Sequence, residues 1–317
     1  MSDGDGPPAE RCLVDGDDFV RALNERLLIS GVVRPFPTKG PGAILRGARR
    51  VSTFSVALCA RTCMKNPSLD MAQDRGLLES RLSAKSPAVL MVPGWDDDRR
   101  HYRALASCLS ELGCIFRLVD LPDESWSPAE RNAVTPADNL QDVLRAYDAL
   151  AAEPAVAADR IVLVGVSYGG YLAAFASAMR PTRAMALRAP ALYRDEDWTI
   201  AKAKLDKEDM SIYRLMRLRP PDNRVLQACA VFRSDVLVIE SGHDETIPHP
   251  VIANYMSAFE QARSVDSEVL AGADHALSHP DWQGDFHRRL LGWLAARAFV
   301  AMTVSSAAYG LHRQGDP

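Results

Sequence analysis

The stretch Ile161–Gly170 (IVLVGVSYGG) constrains this chain more than any other. Its uninterrupted apolar run suits a strand buried on both faces, the setting of a parallel sheet. The run breaks at Gly165-Val166-Ser167-Tyr168-Gly169 and passes into Tyr171–Met179, a small-residue segment read as helix. A serine on a sharp strand-to-helix turn needs small residues two before and two after it, because the two backbones close in there. The turn lifts the hydroxyl above the sheet and aims the Tyr168 N–H at the place where an oxyanion would form. A glycine-rich turn with an idle serine would share the glycines. The strand before it and the helix after it favour a nucleophile.

Apolar runs alternate with helical patterns from about Leu77 onward, the signature of βαβ units. Strands are expected at Ala88–Val92, Cys114–Val119, Ile161–Val164, Met185–Leu187 and Val236–Ile239. Thr135-Pro136 opens a helix, with Thr at the N-cap, Pro at the first helical position and Asp138 in the first turn. Helices are also expected over Val251–Ala262 and Trp282–Phe299. The first 65 residues, with the Pro/Gly-rich Pro35–Gly42, form an N-terminal extension of unclear structure. The 41 residues between Tyr193 and Asp235 have room for a small cap over 194–234.

A serine hydroxyl is a weak nucleophile without a base. His275 lies in LAGADHALS, after a strand and before the last helix; Asp244 lies in VLVIESGHDETIP, directly after another strand. The order is Ser167, Asp244, His275, with separations of 77 and 31 residues. That nucleophile–acid–base order differs from those of the trypsin-like and subtilisin-like proteases. Glu240 and Asp274 are the rival acids. Glu240 is expected to end its strand, and Asp274, adjacent to His275, would point away in an extended segment.

The passages AVLMVPGW, IVLVGVSYGG, VLVIESGHDETIP and GADHALSHP, spanning roughly residues 77–299, resemble the α/β-hydrolase superfamily, particularly its esterase and prolyl-oligopeptidase-like serine hydrolases. The resemblance implies a mostly parallel central sheet with helices on both faces and a small cap insertion. It implies Ser167 as nucleophile, Asp244 as acid and His275 as base. It also implies oxyanion donors from the backbone N–H groups of Tyr168 and Trp95. Pro93-Gly94 stands where many relatives carry His-Gly, a change that bears on loop geometry and substrate class.

The remaining chemistry-bearing residues divide into site and scaffold. Arg188, at the end of a strand, is a candidate to pair with an anionic substrate or to serve in a structural ion pair. The run Asp96–Asp98, followed by Arg99 and Arg100, reads as a solvated loop. His243, His249 and His279 lie near the site in sequence, but without an HxH or HExxH pattern they read as loop histidines. No metal or other cofactor is expected.

A net charge of −4 argues against a dedicated nucleic-acid binder. The six scattered cysteines and the acidic, polar start MSDGDGPPAER suggest a reduced, cytoplasmic protein. Leu290–Tyr309 is interrupted by Arg297, and its uncharged part is too short to span a bilayer. The expected function is cofactor-independent hydrolysis of an ester, thioester or amide of a small-molecule substrate through an acyl-enzyme. Acyl transfer by the same triad is the alternative within this chemistry, and a non-catalytic ligand-binding protein is the alternative outside it.

Overall fold

The computed structural model describes residues 85–95, 97–122 and 126–298. The expected N-terminal extension, Cys12, Cys59, Cys63, Asp96 and the end of the Leu290–Tyr309 segment lie outside the described residues.

Six strands form one parallel sheet in the order β2-β1-β3-β4-β5-β6. They are β1 (Ser86–Val92), β2 (Ile115–Leu118), β3 (Val156–Val166), β4 (Ala184–Arg188), β5 (Asp235–Ser241) and β6 (Ser264–Leu270). Among the described residues eight α-helices accompany them: α1 (Arg103–Glu111), α2 (Pro128–Arg131), α3 (Pro136–Ala151), α4 (Tyr168–Met179), α5 (Lys207–Tyr213), α6 (Arg224–Ala230), α7 (His249–Ala258) and α8 (Pro280–Trp293). The central strands are the ones whose sequences read as fully apolar. They are covered on both faces, so each residue, whichever way it points, meets protein.

Side chains alternate along a strand, and the core divides accordingly. Val89, Met91, Val162, Val164, Ala184, Ala186, Leu237 and Ile239 pack with Leu105 and Leu109 of α1 and with Phe286 and Leu290 of α8. The intervening Leu90, Leu163, Met185 and Val238 are fully buried on the other face, where α3, α4 and α7 contact the sheet. Helices therefore cover both faces, as the α/β-hydrolase resemblance implies.

Helix α3 begins as its sequence dictates. The Thr135 Oγ1 accepts the Asp138 N–H, and the Asp138 carboxylate accepts the Thr135 N–H, a complete capping box. Helix α4 begins at Tyr168, three residues before the apolar run suggests, because the chain turns into helix immediately after Ser167. Helix α7 stops at Ala258, short of the expected Ala262. Between β4 and β5 the chain runs through short 3-10 turns (Asp195–Thr199, Lys202–Lys204 and Pro220–Asp222) and α5 before it reaches α6. Every residue of α6 is buried, and α6 packs on α4 as the crossover helix. Trp198 anchors the preceding turns by packing its ring against Phe175 of α4, centroids 5.0 Å apart.

Candidate active site

Ser167, Asp244 and His275 follow β3, β5 and β6, so all three leave the carboxyl edge of the sheet, where open α/β sheets place their ligand sites. Ser167 has φ 51° and ψ −118°, a conformation that L-residues rarely adopt. Close packing holds it there. A Cβ on Gly165 would lie 2.6 Å from Gly169 O, and one on Gly169 would lie 2.1 Å from Val92 O and 2.3 Å from Pro93 O. No side chain fits at either position. The glycine pair thus lets the loop after β1 lie directly on the first turn of α4.

The three functional groups form one hydrogen-bonded row. The His275 Nε2 is 2.9 Å from Ser167 Oγ, and its Nδ1 is 2.7 Å from Asp244 Oδ2. A carboxylate only accepts, so Nδ1 carries the proton, and the neutral ring's Nε2 faces the serine as acceptor. The other Asp244 oxygen accepts the N–H groups of Thr246 and Ile247 at 2.9 and 2.7 Å. The Asp244 side chain is 2% exposed against 23% for His275. The Asp244 carboxylate is thus fixed and shielded, while the imidazole reaches toward solvent.

The rival acids are engaged elsewhere. Both Glu240 oxygens contact His249 Nδ1, at 2.9 and 3.0 Å. Asp274 accepts the Ser278 hydroxyl and its N–H, and these bonds hold its carboxyl below the usual carboxylate range. His279 caps α8, accepting the Asp281 N–H through Nδ1, and His243 is exposed. Among the described residues, no group of three or more His, Cys, Asp or Glu is arranged to hold a metal ion.

Tyr168 is the first residue of α4, and its N–H has no acceptor within its own helix. Its ring is fully buried, with the hydroxyl donating to Asn139 Oδ1 at 2.8 Å. Trp95 is half-buried and packs edge-on against that ring, centroids 5.5 Å apart. The Lys202 ammonium lies 4.6 Å from the Trp95 ring centre and 5.5 Å from that of Tyr168, a cation–π contact from the β4–β5 segment. Sequence reasoning missed both Lys202 and Asn139, whose partners are distant in the chain.

The acidic run after Trp95 is less solvated than its composition suggests. Asp97 accepts the Gly94 N–H at 3.2 Å and also the Tyr102 hydroxyl. Burial, with Asp97 beside it, pushes the Tyr102 phenol well above its ordinary value, so it stays a neutral donor. Asp98 caps the following turn through the Arg100 N–H. Arg188 is 5% exposed. It turns away from solvent and donates through one nitrogen to His275 O at 2.6 Å and Ser241 Oγ at 3.1 Å.

Residues 131–298, more than half of the chain, match the prolyl oligopeptidase family. The chain belongs to that family. It is therefore a hydrolase on the α/β-hydrolase fold. Solved structures agree on the fold. A DcsB complex with its substrate analogue aligns with a TM-score of 0.50 and 14% identity, covering 68% of this chain and 92% of that one. Est1E from Butyrivibrio proteoclasticus, with ferulic acid bound, gives 0.51 and 17%, covering 67% and 90%. No curated protein matches this prolyl oligopeptidase family member significantly. No helix among its described residues is long and apolar enough to cross a membrane.

Proposed function

We propose that this protein is a carboxylesterase-like serine hydrolase that cleaves an ester, thioester or amide through a Ser167 acyl-enzyme. The observation that carries the reading is the continuous row Ser167 Oγ–His275 Nε2–Asp244 Oδ2, at 2.9 and 2.7 Å, with Ser167 in a strained turn. His275 Nε2 takes the Ser167 proton as Oγ attacks the carbonyl carbon, and the new oxyanion lies between the Tyr168 and Trp95 N–H groups. Asp244 holds the Nδ1–H tautomer and stabilises the imidazolium. That imidazolium returns its proton to the leaving group. A water then enters, loses a proton to His275 and releases the acid, restoring Ser167.

In this reading the segment 194–234 serves as a small cap, whose short turns favour substrates of small to medium size. The Lys202 contact on Trp95 and the Trp198 anchor on α4 support its closeness to the oxyanion loop. The protein is taken to act in the cytoplasm on a free small molecule.

A fluorophosphonate probe tests the nucleophile, since it phosphonylates an activated serine. The wild-type protein is expected to label at Ser167. Ser167→Ala is expected to lose labelling and essentially all hydrolysis while keeping its melting temperature. Labelling that persists at another serine would remove Ser167 from the role.

A further inference from the structure

Three strand ends carry the row described above, and a single residue touches all of them. Arg188 closes β4, between β3 and β5 in the sheet. Its carbonyl accepts the Ser167 N–H at 2.9 Å. Its guanidinium reaches Ser241, the last residue of β5, at 3.1 Å, and the carbonyl of His275 itself at 2.6 Å. The main chain of one residue thus fixes the nucleophile, and its side chain fixes the loop that carries the base.

The backbone around these contacts is strained. Ser167, Ala189 and Leu277 are the only non-glycine residues with positive φ among the described residues, at 51°, 41° and 52°. Ser167 bonds to Arg188, Ala189 follows it, and Leu277 lies two residues beyond His275. Such conformations persist only where surrounding contacts over-determine them. The His275 carbonyl is held by a charged donor inside the protein, where such a bond is stronger than in water. A guanidinium that is 5% exposed cannot present itself to a substrate in solution.

We propose that Arg188 is a positioning residue that locks the His275 loop onto the Ser167 turn and does not bind substrate. The proposal rests on the triad reading above. Arginine suits the task because one terminal nitrogen of its rigid planar group carries two N–H donors, one for the Ser241 hydroxyl at the end of β5 and one for the His275 carbonyl, where a lysine ammonium is a compact point charge on a flexible stem. The geometry it protects is narrow: a displacement of about 1 Å at a reacting centre can cost about 100-fold in rate.

The experiment compares Arg188→Met and Arg188→Lys with the wild type. The active enzyme is counted by fluorophosphonate titration, and kinetics are run on a neutral and an anionic p-nitrophenyl ester. For Arg188→Met, kcat per titrated site is expected to fall about 100-fold on both esters, with KM held within about twofold. Arg188→Lys is expected to recover part of that loss yet remain about tenfold or more below the wild type. A merely structural role would lower the titrated fraction and the melting temperature while leaving per-site kcat unchanged, and that result overturns the proposal. A loss confined to the anionic ester overturns it too, by making Arg188 a substrate contact. Should Arg188→Met fail to fold, Arg188→Lys decides alone, and a wild-type per-site kcat rejects the proposal. A wild-type enzyme left unlabelled at Ser167 would instead reject the triad.

Discussion

The sheet buries a charge at each of its ends, and the two are treated differently. At the amino end of β5, Asp235 is 3% exposed and meets opposite charge directly, through Arg263 Nε at 2.7 Å and Arg183 at 3.6 Å. Ser264 adds a hydroxyl at 3.0 Å. These bonds, with Arg263 contributing most, hold the Asp235 carboxyl below the usual range. At the carboxyl end of β4, Arg188 bonds to neutral oxygens, and burial pulls its pKa below the ordinary guanidinium value. One end uses charge to close an ion pair between β5 and β6. The other holds Arg188 on neutral hydrogen-bond acceptors under the loop that carries His275, with Asp97, Asp244 and Asp274 near enough to favour its charge. Burying a charge without a direct ion pair is unfavourable for stability even with carboxylates nearby, so its persistence marks a site where geometry matters more.

Asp244→Asn attacks the carboxyl end and should have the largest effect. An asparagine can donate to Nδ1 and so favour the wrong imidazole tautomer, which costs about ten-thousandfold in turnover where such a triad operates. Glu240→Gln and Asp274→Asn should each stay within about tenfold of the wild type, because both side chains bond away from His275. Rates for the three variants on one ester decide the matter. Asp274→Asn proving the most damaging would reassign the acid.

Asp235→Asn attacks the other end, and its effect should fall on stability alone. Losing a charge-assisted bond set of this kind costs about 2 kcal/mol, read as a lower denaturant midpoint with per-site kcat unchanged. The pH dependence has a definite sign. A carboxyl whose folded pKa is depressed stabilises the fold above its unfolded pKa, about 3.9, and that contribution fades as pH falls through the folded value. Wild type and Asp235→Asn should therefore differ at pH 7 and converge in strong acid. A gap that stays constant down to the acid limit would show that the ion pair contributes little.

The smallest effect concerns acyl length. Each methylene adds about 0.8 kcal/mol only where apolar wall receives it, and the β4–β5 segment offers short turns instead of a long helix. Across a p-nitrophenyl ester series, kcat/KM should level off or decline beyond medium chains. A steady climb through dodecanoyl and hexadecanoyl esters would point to a deeper, more apolar cavity.

Much of the fold is legible in the chain because the central strands are covered on both faces and so read as apolar runs. Strand β6 (SVDSEVL) is an edge strand with Asp266 and Glu268 partly exposed, so its bounds do not stand out. Helix α1 presents only Leu105 and Leu109 to the core, too weak a stripe to read. The Ser167 turn stands out because its glycines are required by contacts a few residues away. Ser167, Asp244 and His275 could be chosen from their order and their places after strands.

The parallel α/β layering, the sharp serine turn and the choice of Ser167, Asp244 and His275 are legible in the chain alone. Those features depend on local periodicity and on steric limits that glycine alone satisfies. The contacts of Arg188, Asp97, Asn139 and Lys202 emerge only once the chain is folded. Arg188 meets a carbonyl 87 residues away, and Tyr168 meets Asn139 across 29. Nothing in a residue's own neighbourhood names such a partner. The pairing is set by which strand ends the sheet order brings together, and that order is a property of the whole fold.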